Sequence, residues 1–331
     1  MLSVTRADGA AERQTLELLR SRSGEVDRKV ATVVTQIIET VRQEGDAALR
    51  RYAEQFDSAA PARLEVTKEE IEQALDTADA DFVQALRRAK ENITAFHARQ
   101  KQQSFWDAQP NGVILGQRVR GLHRVGLYVP GGTAAYPSSV LMNAIPAKVA
   151  GVGELIMVTP PTENMSNEVL AAAKIAGVDT VIAIGGTQAI AALTYGAGFI
   201  PQVDKIVGPG NAFVAAAKKL AFGTVDIDMI AGPSEVLVIA DHTANPTYVA
   251  ADLLSQAEHD KLASAVLLTD SMAQAQAISC EMERQAKQLP RWDIIKESVA
   301  NYGCAIVFDD LKDACRMADV VAPEHLEVVT A

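Results

Sequence analysis

The sequence is poor in cysteine, and its few cysteines form no pattern. Its 331 residues include three, Cys280, Cys304 and Cys315, which lie in unlike surroundings and form no Cys-x-x-Cys pair. Such a set predicts neither a disulfide framework nor a zinc knuckle built of thiolates. The three are expected to be small, buried hydrophobic side chains.

Positive charge is also in short supply. Lysine and arginine number 31 against 42 aspartates and glutamates, which gives a net charge of −11. This balance repels polyphosphates and anionic lipid headgroups at long range, so a role on nucleic acid or on a membrane surface is disfavoured. No apolar run is as long as a membrane span, and the first residues lack the apolar core of a signal peptide, so the protein is expected in the cytoplasm.

What the sequence does contain is a long central stretch of low charge. Residues 121–240 carry 14 charged side chains in 120 positions, whereas the other 211 positions carry the remaining 59. The strands of a sheet that helices cover on both faces do not meet water, and this composition is typical of such strands.

Strand and helix patterns alternate through this stretch and after it. Strands are predicted at 124–128, 154–158, 180–184, 204–207 and 226–230, and helices near 136–150, 166–176, 187–195 and 211–222. After Glu235 the alternation resumes with strands at 236–240, 265–269 and 305–308, a helix opening at Asn245-Pro246 and one long polar helix after residue 269. Alternation of this kind predicts parallel sheets made of βαβ units.

The first hundred or so residues are predicted to be helical and highly charged. Apolar residues from Val30 to Val41 recur at helical spacing, and Gly45 is placed to end that helix, with Asp46 able to cap the next one. Thr67 and Glu70 form a capping box that opens a further helix. Asn111-Gly112 then predicts a hairpin turn and the change to β structure.

We therefore predict the α/β class, with two incomplete Rossmann-like parallel-sheet globules and a helical N-terminal region. Residues 1–22 are predicted to form an arm. Residues 23–122 together with 235–331 are predicted to form the first globule, and residues 123–234 a second globule inserted into it.

Three predicted junctions between a strand and a helix are rich in glycine. They are Tyr128-Val129-Pro130-Gly131-Gly132-Thr133, Gly185-Gly186-Thr187-Gln188 and Gly208-Pro209-Gly210-Asn211. Helix N-termini at the carboxyl ends of parallel strands bind anions and nucleotides, so three of them on one rim favour a shared anion or dinucleotide site. Tyr128 would then pack on a ring, and Gln188 and Asn211 would bind ribose or amide groups. The alternative is that these glycines only make tight turns.

Gln256 and His259 are three residues apart in the helix predicted to open at Asn245-Pro246. Residues at this spacing share a helix face, so their side chains can reach one metal ion. Two ligands do not make a zinc site, and His259 alone also fits a surface histidine. Ser234 lies in a Gly-Pro-Ser-Glu segment that is either a turn or a place where a hydroxyl binds a polar substrate.

Glu324 and His325 place a carboxylate beside an imidazole near the end of the chain. Histidine is the commonest general base, and a carboxylate can orient it or activate water. A Glu-His pair is common in sequences, so by itself it also fits a surface position.

Taken in order, these segments resemble the histidinol dehydrogenase family. The resemblance extends over nearly the whole chain, through 104–107, 125–132, 185–189, 207–211, 231–235, 256–260 and 323–327. It implies oxidation of L-histidinol to L-histidine through histidinaldehyde with two NAD⁺, the last step of histidine biosynthesis, in a zinc-dependent homodimer.

The resemblance also implies a role for each matching residue. Tyr128, Gln188 and Asn211 would contact NAD⁺ in the inserted globule, and Gln256 and His259 would bind zinc. The substrate would be bound by Ser234, Gln256, His259 and His325, and Glu324 and His325 would be the acid–base pair. No cysteine nucleophile is required.

Family members continue beyond the Glu-His pair, and their tail supplies further zinc and substrate ligands and part of the dimer contact. The chain ends at Ala331, so its own zinc binding and activity are expected to be impaired. Two other functions remain open. One is a related zinc- and NAD-dependent dehydrogenase of another small polar alcohol, and the other is a non-catalytic remnant.

Overall fold

A computed structural model describes residues 2–24, 28–57, 63–131, 136–161, 165–230 and 232–331. The described chain divides into two compact units. One comprises Met1–Glu25 and Gly232–Ala331, and the other comprises Val26–Ala231.

The unit of residues 26–231 contains eight helices and eight strands among its described residues. The helices are α2 (Arg28–Glu44), α3 (Asp46–Phe56), α4 (Lys68–Thr77), α5 (Ala80–Ala98), α6 (Pro137–Val149), α7 (Asn167–Ala176), α8 (Gly186–Tyr195) and α9 (Ala212–Ala221). The strands are β2 (Glu65–Val66), β3 (Phe105–Ala108), β4 (Ile114–Gln117), β5 (Arg124–Tyr128), β6 (Glu154–Thr159), β7 (Thr180–Ala183), β8 (Lys205–Val207) and β9 (Asp226–Ile227).

Six of these strands form one sheet in the order β2-β7-β6-β5-β8-β9, parallel except for β2. The apolar sides of α2, α3, α8 and α9 cover one face, and those of α4 to α7 cover the other. The low-charge segment of the sequence therefore forms the sheet that helices bury on both faces, as predicted. Strands β3 and β4 form the predicted hairpin at Asn111-Gly112.

The other unit contains α1 (Ala10–Gly24), α10 (Pro246–Ala257), α11 (Met272–Ala286), α12 (Trp292–Tyr302) and α13 (Leu311–Val321). Its strands are β1 (Ser3–Arg6), β10 (Glu235–Ala240), β11 (Ser264–Thr269), β12 (Gly303–Val307) and β13 (His325–Val329), which form a parallel sheet in the order β1-β12-β11-β10-β13. Helices α10, α11 and α12 cover one face, and α1 and α13 cover the other.

The division of the chain differs from the predicted one in two places. Residues 28–98 were predicted to join 235–331, but their helices pack on the six-stranded sheet, because the apolar side of α2 from Val34 to Val41 is buried against α8 and α9. The predicted arm of 1–22 instead supplies β1, which pairs with β12, and most of α1. The predicted long helix after residue 269 is two helices, with Pro290 between them.

Two further local predictions can be compared with the structure. The capping box of Thr67 and Glu70 is present at the start of α4. Gly45 ends α2, but it is also the N-cap of α3, so Asp46 makes no capping hydrogen bond. No helix in the described ranges is both long and apolar enough to cross a bilayer.

Candidate active site

The carboxyl edge of the six-stranded sheet brings the three predicted glycine-rich junctions to one rim. After β5 the chain adds β6 and β7 on one side, and then returns to place β8 and β9 on the other side of β5. The crevice where strand order reverses in this way is where open α/β sheets bind ligands. Tyr128 ends β5 and Gly208 follows β8, so both lie at this reversal. Gly132 and Thr133, also predicted to belong here, lie outside the described residues.

Tyr128 is buried rather than available for stacking. Its side chain is 4% exposed and belongs to the apolar core, so the predicted packing of its ring on a ligand is not possible in this conformation. Its hydroxyl oxygen accepts a hydrogen bond of 3.1 Å from the amide of Gly186 at the start of α8. Burial, with a smaller contribution from the negative charge of Asp57, raises the pKa of Tyr128 to about 12. The phenol is therefore protonated at neutral pH.

Gln188 lies in the first turn of α8 with its amide buried against Gly186. The residue is 1% exposed, and its Nε2 donates to no group of the described chain. A Cβ added at Gly186 would lie 2.8 Å from the Gln188 Oε1 atom, so the amide fills the space that glycine leaves. A buried N–H group without a partner is rare and needs an explanation.

Asp57, which follows α3, was missed by the sequence analysis. Its carboxylate accepts a hydrogen bond from the amide of Gly185, while its Oδ2 is buried without a partner. Burial raises the pKa of Asp57 to about 6, and the bond from Gly185 opposes that rise. Nothing in the local sequence indicates this position, because Asp57 reaches α8 only through the packing of α3 on α8.

A buried ion pair holds the Gly208–Asn211 turn. Lys218 Nζ contacts both Asp228 Oδ1 and the Gly208 carbonyl oxygen, and Asp228 Oδ2 accepts from the Gly208 amide at 2.8 Å. Gly208 has φ +119°, and a Cβ there would lie 2.1 Å from the Tyr128 carbonyl oxygen. The same contacts explain why β9 ends at Ile227 and not at residue 230, as predicted: Asp228 leaves the strand to join this network.

Three glycine amides at this rim are already bonded within the chain. Those of Gly185, Gly186 and Gly208 donate to Asp57, Tyr128 and Asp228, respectively. The side-chain oxygen of Asn211 accepts from the amides of Phe213 and Val214 and so caps α9. Two of the three glycine amides thus face a carboxylate, which disfavours a phosphate at those two amides.

The second group of predicted residues lies at the amino edge of the five-stranded sheet. Ser234 precedes β10, and its carbonyl oxygen accepts from the Ser264 amide at the start of β11. Glu324 and His325 lie at the start of β13, where Glu324 Oε2 is 3.4 Å from the Glu235 amide. Helix α10 returns from the carboxyl edge, so Gln256 at its end reaches the same amino edge.

Gln256 and His259 do not share one helix as predicted. Gln256 lies in the last turn of α10 and is 9% exposed. The helix ends at Ala257, and His259 lies in the following turn with an exposed side chain. The His259 amide donates to the Gln256 carbonyl oxygen at 3.1 Å, and the His259 carbonyl oxygen accepts from Arg291 at 3.2 Å. The turn, rather than helical spacing, keeps the two residues close in space.

Glu324 and His325 are adjacent, and their side chains are both more than half exposed. The His325 Nε2 atom is 3.9 Å from Glu324 Oε1, which is within ion-pair range but too long for a hydrogen bond. On the same side of β13, the Glu327 carboxyl lies close to Asp252 of α10. Burial first, and then the neighbouring Asp252, raise the pKa of Glu327.

The described residues supply only part of a zinc donor set. No group of three or more histidines, cysteines or acidic residues that could hold a metal is found among them. Gln256 and His259 offer one oxygen and one imidazole nitrogen, whereas structural and catalytic zinc sites take at least three protein ligands. The two residues fit as part of a zinc site and do not form one by themselves.

The cysteines differ from the prediction in their exposure. Cys280 and Cys315 are exposed on helices α11 and α13, while burial raises the pKa of Cys304 to about 11. The Cys304 thiol lies 3.9 Å from the Thr15 hydroxyl. An unreactive thiol of this kind is structural.

The comparisons with known proteins agree with one another. The profile of the histidinol dehydrogenase family matches residues 20–331. The histidinol dehydrogenase of Streptococcus mutans is 54% identical over 90% of the chain and 70% of its own length, and that of Clostridium acetobutylicum is 51% identical over 94% of the chain and 73% of its own. The crystal structure of histidinol dehydrogenase from Elizabethkingia anophelis superposes with a TM-score of 0.91 at 36% identity, over 99% of the chain and 75% of that protein. These matches confirm the resemblance found in the sequence motifs.

Proposed function

The chain belongs to the histidinol dehydrogenase family of oxidoreductases, and from that premise we propose that it oxidises L-histidinol to L-histidine through histidinaldehyde with two NAD⁺. This reaction is the last step of histidine biosynthesis. The observation that carries the proposal is that Ser234, Gln256 and the Glu324-His325 pair, three separate places in the sequence, lie at one edge of one sheet.

His325 is the proposed general base, which removes the proton of the substrate hydroxyl. Its imidazole is more than half exposed at the edge where Ser234 and Gln256 also lie, so a small substrate can reach it. Imidazole titrates near neutral pH and so exchanges protons readily. Glu324 is proposed to activate the water that hydrates the aldehyde before its oxidation.

Zinc is the proposed metal cofactor, with Gln256 and His259 as two of its ligands. When bound, the ion would hold the nitrogen atoms of histidinol and so fix the orientation of the substrate. The relatives are longer than the chain, which spans 70 to 75% of their length. The other ligands are proposed to match residues in the part of the relatives that the chain does not cover.

NAD⁺ is the proposed second substrate, with Tyr128, Gln188 and Asn211 at its site. It would take up the two electrons released in each of the two oxidation steps. The unpartnered Nε2 of Gln188 supports this assignment, because a buried donor at a strand-order reversal fits a polar ligand group.

A homodimer is the proposed assembly. The β3–β4 hairpin exposes large apolar side chains, among them Phe105 at 57%, Trp106 at 67% and Ile114 at 66%. Exposed large apolar side chains that lie together on one hairpin are typical of interaction surfaces. Light scattering after size exclusion measures the mass of the assembly. A monomeric mass, with Trp106 left exposed to solvent, would contradict the proposed homodimer.

The test of the activity is histidinol-dependent NADH formation with zinc present. Two forms are compared: the chain itself, and the chain extended by the segment of the Streptococcus mutans relative that follows the Glu-His pair. We expect turnover of L-histidinol by the extended form. Faster turnover of another amino alcohol would favour a related dehydrogenase with a different substrate. If both forms bind no zinc and show no activity, the chain is better explained as a non-catalytic remnant.

A further inference from the structure

Two buried polar atoms without partners belong to side chains that lie against consecutive glycines at the start of α8. Among the side chains that the structure describes, three buried polar atoms have no hydrogen-bond partner: Asp46 Oδ1, Asp57 Oδ2 and Gln188 Nε2. Asp57 lies against Gly185, with Oδ1 3.1 Å from the position of a Cβ at that glycine, and the Gln188 amide lies against Gly186. An acceptor and a donor, both unused, thus flank one helix N-terminus.

Burial of a charged Asp57 carboxylate with one unpartnered oxygen is unfavourable unless another group donates a hydrogen bond to that oxygen. A desolvated carboxylate keeps its charge only if donors surround it. Among the described residues, the Gly185 amide is the one donor to Asp57, and no positively charged group contributes to the pKa of Asp57. A structural role would not require the charge, because an asparagine oxygen accepts from the Gly185 amide equally well. The arrangement is typical of a binding site whose ligand supplies the missing donor.

The pair selects a ligand group by its hydrogen-bonding chemistry. A carboxylate oxygen needs a donor and an amide N–H needs an acceptor, so one group that does both satisfies the pair. A ribose hydroxyl does so, and so does a primary carboxamide. A phosphate offers only acceptors at neutral pH and would be repelled by Asp57.

We propose that Asp57 is a nucleotide-binding residue whose carboxylate accepts a hydrogen bond from a hydroxyl or carboxamide of the dinucleotide, while Gln188 donates to the same part of it. The inference rests on the proposed binding of NAD⁺ and adds a residue to it. It also places the pyrophosphate away from the N-terminus of α8, where Asp57 already takes the favourable position for negative charge.

The test measures equilibrium binding of NAD⁺ by calorimetry at pH 8, on the wild-type chain and on Asp57→Asn. We expect the variant to bind NAD⁺ at least about tenfold more weakly, because a hydrogen bond to a charged group is lost. The melting temperature should not fall, because the substitution removes a buried charge and keeps the acceptor for Gly185. Asp46→Asn is the matched control: Asp46 is the first residue of α3, the helix that Asp57 follows, and it also has a buried unpartnered oxygen, but it lies near Gly198, beyond the other end of α8.

A second probe identifies the ligand group. The analogue 3-acetylpyridine adenine dinucleotide lacks the carboxamide N–H but keeps every ribose hydroxyl. If Asp57 binds a hydroxyl, Asp57→Asn weakens the analogue and NAD⁺ by the same factor; if it binds the carboxamide, the variant weakens NAD⁺ alone. Unchanged NAD⁺ affinity in Asp57→Asn, or an equal loss in Asp46→Asn, overturns this inference alone. No binding of NAD⁺ to the wild-type chain overturns it together with the proposed NAD⁺ site.

Discussion

His325 is the register partner of Val236 in the parallel ladder between β13 and β10. Val236 and Val238 belong to the core that α10 covers, so their partners His325 and Glu327 point to the α10 side of the sheet. The proximity of Glu327 to Asp252 of α10 agrees with this orientation. The imidazole of His325 therefore lies on the sheet face covered by α10, whose last turn contains Gln256.

Replacing His325 with Gln should lower kcat far more than it raises KM. The proposed proton transfer strengthens only as the hydroxyl ionises, and general-base catalysis is worth about 10² to 10⁴ in rate. Steady-state kinetics of the extended form with L-histidinol checks this, with His242→Gln, at the other edge of the sheet, as control. A rise in KM together with an equal loss of bound zinc would assign His325 to substrate and zinc binding instead of to proton transfer.

Replacing His259 with Ala should remove most of the bound zinc from the extended form. The loss of one of few protein ligands lowers metal affinity steeply. Elemental analysis after dialysis gives the zinc content per chain. His242→Ala is the control for a change in histidine number, and a His259→Ala protein with a full complement of zinc would exclude this residue as a ligand.

Most strands of the fold were predictable because the sheet cores are continuous apolar runs. The predicted strand at 124–128 coincides with β5, and the predicted helix at 166–176 differs from α7 by one residue. Strand β13 was missed because it alternates exposed and half-buried residues at a sheet edge, with Leu326 and Val328 over 50% exposed. The allocation of α2 was wrong because helical periodicity shows that an apolar side exists and not which sheet it covers.

The site was predictable only in part, for a related reason. Gln188 and His325 both belong to motifs that can be identified in the sequence. The rule that ligands bind at the carboxyl ends of strands applies to Gln188 and not to His325. His325, with Ser234 and Gln256, lies at the amino ends of strands, where this rule predicts no site. Asp57 has no local pattern, and its perturbed pKa arises from tertiary burial beside Gly185.

Replacing Lys218 with Met should destabilise the protein by about 3 kcal/mol. Lys218 is 3% exposed, so its loss leaves the Asp228 carboxylate at the Gly208 turn without its cation. Lys205→Met is the matched control, because the ion pair of Lys205 with Asp226 is more exposed and should contribute about 1 kcal/mol or less. Urea unfolding measures both, and equal losses would show that burial of the Lys218 pair is unimportant.

The stability difference between wild type and Asp57→Asn should depend on pH in a defined direction. Burial raises the pKa of Asp57 from 3.8 to about 6, so the folded protein binds this proton more tightly than the unfolded chain does. The stability that protonated Asp57 contributes is fully present below pH 3.8 and is lost as the pH rises through 6. The titratable group that interacts with it, Tyr128, stays protonated over this range. Urea unfolding of both proteins should therefore show the variant gaining stability relative to wild type between pH 4 and pH 7. A difference that does not change over this range would mean that Asp57 is not desolvated in solution.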